Sequence, residues 1–213
     1  TAWGIDIDAD LNPLASLSND GSIVVTATAD GTATSGAIYA SAFGMEVLDV
    51  YGAVSNVGSI AVTATADGTA NSTTMYVNAF GMKVDAVYGT LSNDGSIAVT
   101  AKAMGSGETG LNVATYGIDV DDIAANASVS NDGEITVTAT ADGTASDGAI
   151  NVTANGMVSG AVSGALSNSG SIAVNATAKG SGLNGVYATA WGIDIDADLN
   201  PLASLSNDGS IVV

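Results

Sequence analysis

Apolar and polar residues alternate with a period of two along most of the chain. Ile23, Val25, Ala27 and Ala29 are separated by Val24, Thr26, Thr28 and Asp30, and the same phase returns at Ile60, Val62, Ala64 and at Ile97, Val99, Ala101. This is the signature of a strand with one packed and one solvated face. A second such segment is written in Ile38, Ala40, Ala42, in Met75, Val77, Ala79 and in Val186, Ala188, Ala190. A third follows the glycine of an Ala-aromatic-Gly motif, as in Met82, Val84, Ala86 or Ile193, Ile195, Ala197. Gly, Asn, Asp and Ser fill the intervals, so three strands with tight corners are expected per unit of pattern.

The pattern is also periodic on a longer scale. A Leu/Val-Ser-Asn-x-Gly-x-Ile/Val signature begins at Leu17, Val54, Leu91, Val129, Leu166 and Leu205, in steps of 37, 37, 38, 37 and 39 residues. Five blocks make a superunit of 188 residues, since Thr1 to Val25 recur letter for letter as Thr189 to Val213. Residues 1–213 are therefore read as a single continuous repeat array, and as a window on a longer one. Parallel strands stacked about 4.8 Å apart accommodate such a repeat, giving an all-β fold, a parallel β-solenoid. One three-sided coil per block of 37–39 residues is expected because the signature occurs once per block, with two shorter coils as the alternative. The superunit then rises by about 24 Å, or about 48 Å for the shorter coils. Ile23, Ile60, Ile97, Ile135 and Ile172 should form one interior column.

Charge changes which partners are plausible. With 3 Lys+Arg against 22 Asp+Glu, a formal net charge of -19 and no His, the chain lacks the basic surface that nucleic acid requires. It has no Cys, hence neither disulfides nor thiol chemistry. The hydrophobic fraction of 46% is mostly Ala and Val interrupted by Thr, Ser, Asn and Gly, and no run approaches the roughly 18 apolar residues of a membrane helix. A transmembrane barrel would require regular hairpins and two aromatic girdles, which one aromatic motif per block does not supply.

The Ser-Asn-x-Gly-x-Ile signature and the Ala-aromatic-Gly motif, as in LSNDGSIAV at 91–99, LSNSGSIAV at 166–174, ATYGIDV at 114–120 and AFGMEV at 42–47, resemble the solenoid passengers of bacterial autotransporters and filamentous-haemagglutinin-type adhesins. The resemblance runs through every block. It implies a right-handed β-helix, secreted to the extracellular face of a Gram-negative cell, and it carries over no catalytic residue.

Several columns become candidates once the blocks are stacked. The signature asparagines, Asn19, Asn56, Asn93, Asn131, Asn168 and Asn207, either form an amide ladder at a corner or serve simply as turn residues, with the glycine two positions on giving the corner its backbone freedom. Asp6, Asp8 and Asp10, repeated as Asp194, Asp196 and Asp198, are the candidate metal ligands. Alternate carboxylates on one strand face offer hard oxygen donors to Ca²⁺, although the glycine and final glutamate of an EF-hand loop are missing, and a solvated acidic face is the plainer reading. One coil per block also stacks Asp6, Glu46, Lys83, Asp119, Val158 and Asp194, and separately Asp30, Asp67, Met104, Asp142 and Lys179, placing two of three lysines among carboxylates. Outward Thr26/Thr28, Thr63/Thr65 and Thr138/Thr140 make rows of the kind that bind ice, broken by Lys102. Phe43, Phe80, Tyr116 and Trp191, with Tyr39, Tyr76 and Tyr187, either form a lateral contact stripe or pack over the corner.

The residues favour no enzyme: the arginine that stabilises charge in β-helical polysaccharide lyases is absent, and the acids are diffuse. The expected function is structural, an extracellular filament or adhesin stalk that continues head to tail and associates with itself, including laterally. A Ca²⁺-dependent or ice-binding solenoid surface is the alternative.

Overall fold

The computed structural model describes all residues, Thr1–Val213, and is all-β, without a helix. In chain order the strands are β1 (Ala2–Ile7), β2 (Ser16–Asn19), β3 (Ser22–Ala33), β4 (Ile38–Val50), β5 (Ala53–Asn56), β6 (Ser59–Ala70), β7 (Thr74–Val87), β8 (Thr90–Asn93), β9 (Ser96–Gly107), β10 (Gly110–Ile123), β11 (Ser128–Asn131), β12 (Glu134–Ala145), β13 (Ala149–Val162), β14 (Ala165–Asn168), β15 (Ser171–Gly182), β16 (Val186–Ile195), β17 (Ser204–Asn207) and β18 (Ser210–Val212). Every third strand pairs with its own kind, in parallel. The first sheet is β1-β4-β7-β10-β13-β16, the second β2-β5-β8-β11-β14-β17 and the third β3-β6-β9-β12-β15-β18. Each consecutive trio is one coil, so the chain makes six turns of a three-sided solenoid with one coil per block.

Pairing follows the repeat residue by residue. Ile23, Ile60, Ile97, Ile135, Ile172 and Ile211 lie in one register column, and the four from Ile60 to Ile172 are buried. Parallel neighbours, Ala and Val at the narrow positions and Ile, Leu or Met at the wide ones make a thin continuous core. Each buried Ile or Leu contributes about 1.5–3 kcal/mol through removal from water. No helix is long and apolar enough to cross a membrane.

The expected division into strands changes in two respects. The second and third segments are one continuous strand in each of the middle coils, and the third side of the solenoid is the four-residue strand carrying the signature itself. The fusion occurs at the motif glycine. In β4 the inward residues are Ile38, Ala40 and Ala42, and the phase then skips one position to Met45 and Val47. Gly44 sits at this skip, and a Cβ there would overlap Ile60 Cγ2 on the third sheet and the Gly81 carbonyl of the next coil. The same relation joins Gly81 to Ile97, Gly117 to Ile135 and Gly156 to Ile172. The glycine is thus the apex of an inward bend that presses the first sheet onto the third, and no side chain fits between.

A second phase slip occurs further along the same strand. Val87 is fully buried, whereas Ala86, expected inside, is half-buried, and Ala197 is exposed. The signature glycines differ from expectation too: none has a positive φ. A Cβ on Gly58 or Gly95 would instead overlap the carbonyl of the equivalent glycine one coil earlier, so close stacking is what requires them.

Candidate functional site

Because the motif glycine and the residue after it both face inward, no side chain stands between two outward columns on the first sheet, which leaves a shallow groove between them. The residue before each glycine and the second residue after it project outward from the two arms of the bend and line this groove. Before the glycine stand Trp3, Phe43, Phe80, Tyr116, Asn155 and Trp191, in register. After it stand Asp6, Glu46, Lys83, Asp119, Val158 and Asp194, also in register.

The rings neither cover a corner nor stand apart; they stack along the axis. Centroids of Trp3 and Phe43 are 6.0 Å apart, of Phe43 and Phe80 4.9 Å, and of Phe80 and Tyr116 4.8 Å. The last two spacings are close to the strand repeat, so the backbone sets the stack. Tyr39 stacks on Tyr76 at 5.1 Å, and their column continues as Asn112 and Asn151, joined by a 2.8 Å amide hydrogen bond, before Tyr187. Trp3 Nε1 donates to Glu46 Oε2 at 2.8 Å, tying ring column to charge column across the bend.

Lys83 organises the charges. Its Nζ lies 3.2 Å from Glu46 Oε1 and 3.9 Å from Asp85 Oδ1. Burial opposes the ammonium, but the hydrogen bond to Glu46 and the charges of Glu46, Asp85 and Asp119 outweigh it and raise the lysine above its usual range. Asp119, on the other side of Lys83, is pushed up to about 6, first by burial and then by Asp121, with Lys83 pulling the opposite way. Asp121 is raised by burial and Asp85. The second column, Asp30, Asp67, Met104, Asp142 and Lys179, also forms in register on the third sheet.

Asp6 and Asp194 fall in the groove's charge column. Asp8, Asp10, Asp196 and Asp198 lie beyond the ends of their strands, where the chain enters its turns. Asp6 is raised by desolvation and then by Asp8 and Glu46, and Asp194 by burial and Asp196, as expected for acids that repel one another. No group of three or more His, Cys, Asp or Glu side chains that could hold a metal ion is found in the structure. The threonine columns stand on the third sheet, with Thr26, Thr63, Thr100 and Thr138 followed by Asn175, and Lys102 between Thr65 and Thr140.

The signature asparagines do form a ladder. Each Nδ2 donates to the Oδ1 of the next coil: Asn19 to Asn56 at 2.7 Å, Asn56 to Asn93 at 2.7 Å, Asn93 to Asn131 at 2.6 Å, Asn131 to Asn168 at 2.7 Å and Asn168 to Asn207 at 2.7 Å. All the donors point toward the C-terminal end. The groove itself was not evident in the alternation, although the skipped phase at each motif glycine marks where the strand bends.

No family model, curated protein or solved structure matches the chain.

Proposed function

We propose that the chain is a structural segment of a secreted fibre or adhesin stalk, in which coils continue head to tail into a filament at the cell surface. One observation carries this reading. The identical segments 1–25 and 189–213 adopt equivalent strands in coils 1 and 6, β1/β16, β2/β17 and β3/β18, each placed in the same sheet and the same register columns. Even the turn is reproduced, with Ala15 N donating to Asn12 O and Ala203 N to Asn200 O, both at 2.9 Å. A surface that returns after five coils is suited to receive a further coil, from the same polypeptide or from a second copy.

The ladder gives this continuation a direction. Asn207 Nδ2 is matched only by a 3.5 Å contact to Gly209 O, and Asn19 Oδ1 accepts only a 3.3 Å bond from Gly21 N. Head-to-tail contact aligns the Asn207 donor with the Asn19 acceptor, whereas tail-to-tail contact opposes two donors. An acidic surface keeps such rods dispersed, and stacking covers sheet edges that would otherwise pair at random.

Electron microscopy and fibre diffraction of the purified chain across a concentration series test the proposal. Rods that lengthen with concentration and give an axial reflection near 4.8 Å are expected. Discrete particles one chain long at every concentration would overturn association between copies, and a missing axial reflection would overturn the fibre itself.

A further inference from the structure

The corner between the first and second sheets has an uneven profile. Leu11, Val50, Val87, Ile123, Val162 and Leu199 stand in register from coil to coil, and after them the chain turns into the second sheet through either two residues or four. Coils 2, 3 and 5 take the short way, through residues 51–52, 88–89 and 163–164. Coils 1, 4 and 6 bulge outward. In each of them the fourth turn residue donates its N–H to the carbonyl of the first, Ala15 to Asn12 at 2.9 Å, Ala127 to Ala124 at 3.1 Å and Ala203 to Asn200 at 2.9 Å. Pro13 and Pro201 stiffen two of the bulges, and Asn126, at a φ of 68°, shapes the third.

The proline bulges carry the most exposed large apolar side chains of the chain, Leu14 at 102% and Leu202 at 92%. A lone exposed leucine would mean little. These two are one position of the repeat seen from both sides, Leu14 with the following coil in place and Leu202 with the preceding one, so neither neighbouring coil covers it.

Beside this leucine the corner is hollow. Between the bulges of coils 1 and 4 the short turns place Tyr51 and Tyr88, whose rings stack at 4.5 Å. Between the bulges of coils 4 and 6 the single short turn carries Ser163 instead, and a notch of about 380 Å³ opens there, with Asn126, Ala127, Ser163, Ala165 and Leu202 in its lining. Knob and notch lie on the same edge of the rod. The partner that matches both is therefore another copy of that edge.

Register decides how two such edges meet. When two chains lie antiparallel with their coil 3 corners opposed, coil 1 faces coil 5 and coil 2 faces coil 4. Each Leu14 then enters the other chain's notch at Ser163, each coil 4 bulge faces the short turn at Tyr51, and Tyr88 meets Tyr88. No bulge meets a bulge. Parallel edges seat a leucine in a notch in one direction only, so the antiparallel pair is the one that a two-fold axis closes.

We propose that this corner is a self-recognition edge, on which a second copy of the chain packs antiparallel with Leu14 of each in the coil 5 notch of the other. The contact is lateral and independent of the head-to-tail reading. It joins rods that point in opposite directions, as fibres reaching toward each other from facing surfaces do. The matching edge is four strand spacings long, about 19 Å, and buries less than the roughly 1,000 Å² of a stable interface, so single chains pair weakly and long arrays repeat the contact. Asp49 of one copy comes opposite Asp122 of the other, so salt should strengthen the pair.

Sedimentation equilibrium of the purified chain should show dimers with a Kd on the order of 0.1–1 mM in 0.5 M NaCl, at least threefold weaker in 0.05 M NaCl. Ser163→Tyr, which fills the notch with the residue of the other short turns, should weaken pairing at least tenfold, and Leu14→Ser at least fivefold. Leu183→Ser, at an exposed leucine on the corner between the third and first sheets, should leave it within twofold. Because the chain has no Cys, introduced thiols report proximity alone. Tyr88→Cys should form a disulfide dimer with itself, and Leu14→Cys with Ser163→Cys, each at least fivefold faster than Val24→Cys with itself, although Val24 is more exposed than Tyr88. End-to-end filaments set coil 6 on coil 1 and leave the coil 3 corners apart, so growth in length with no Tyr88→Cys dimer overturns the proposal and spares the fibre reading. A chain that stays monomeric at about 1 mM in 0.5 M NaCl, or pairing untouched by both Ser163→Tyr and Leu14→Ser, overturns it as well.

Discussion

Two buried asparagines of this chain occupy opposite situations. Asn93, at the corner, accepts an amide hydrogen bond from Asn56 and donates one to Asn131, and it lies in a column of six identical residues. Asn155, in the outer groove, stands alone among aromatic neighbours, with an oxygen that meets no donor. Burial is nearly complete in both, at 0% and 4% exposure, so solvent access does not separate them. What separates them is whether the repeat supplies a partner one strand spacing away. A repeated polar residue satisfies itself, whereas a polar residue that breaks a column must find its partner elsewhere.

The largest expected effect comes from disturbing the bend that creates the groove while leaving the corner intact. Gly81→Ala places a methyl group against Ile97 Cγ2 and the Gly117 carbonyl, neither of which can retreat from a stacked sheet. A loss of about 3 kcal/mol, read by denaturant unfolding, is expected. An unchanged midpoint would mean that the bend is not held by close contact.

The sharpest form of the contrast is a pair of identical substitutions. Asn93→Ala strands the Asn56 donor and the Asn131 acceptor and should destabilise by about 2–3 kcal/mol. Asn155→Ala removes an acceptor that already lacks a donor, so its effect should stay within about 0.5 kcal/mol of zero or be stabilising. Equal losses would remove the distinction between the two regions.

Acid should act on the groove and spare the corner, which has no titrating group in its ladder. Asp119 has a folded value of about 6 against an ordinary 3.8, so the folded state holds its proton more tightly than the unfolded chain does. Its contribution is fully present below the unfolded value and is lost as pH rises from about 4 through 6, on the order of 3 kcal/mol in all. The midpoint of unfolding should therefore rise between pH 7 and pH 5, and Asp119→Asn should flatten most of that rise. Lys83→Met should have a small effect, about 1 kcal/mol, since the pair it breaks is partly solvated. It should also move the Asp119 titration to higher pH, because Lys83 is the charge that holds it down.

Much of the rod was legible because it repeats. Spacing alone placed Ile23 to Ile172 in one column and Glu46 beside Lys83, and the registers agree. The fused strand was not legible. A bend at Gly44 shifts the period by one residue, and a shifted period reads as two strands. Nor was the strand Thr90–Asn93, since four residues are too few for alternation to stand out from a turn. The break in the outward columns was written in plain letters, as Asn155 where other blocks have a ring and Val158 where they have a charge. That these two are nearly buried was not legible, because their cover comes from the larger side chains one coil to either side.

The connections between the first and second sheets vary in length, yet the strand after each of them keeps its register. Tyr51–Gly52 joins β4 to β5, Ala124–Ala127 joins β10 to β11, and Asp8–Ala15 joins β1 to β2. After each one the corner asparagine returns to its column. Length added at this edge widens the circumference and leaves the pitch alone, so errors of phase do not accumulate along the rod. An array that grows and shrinks by slippage thereby has a place to keep its copying mistakes, and a foreign loop inserted after Val50 or Val162 would be displayed at a fixed axial height without disturbing the coil above it.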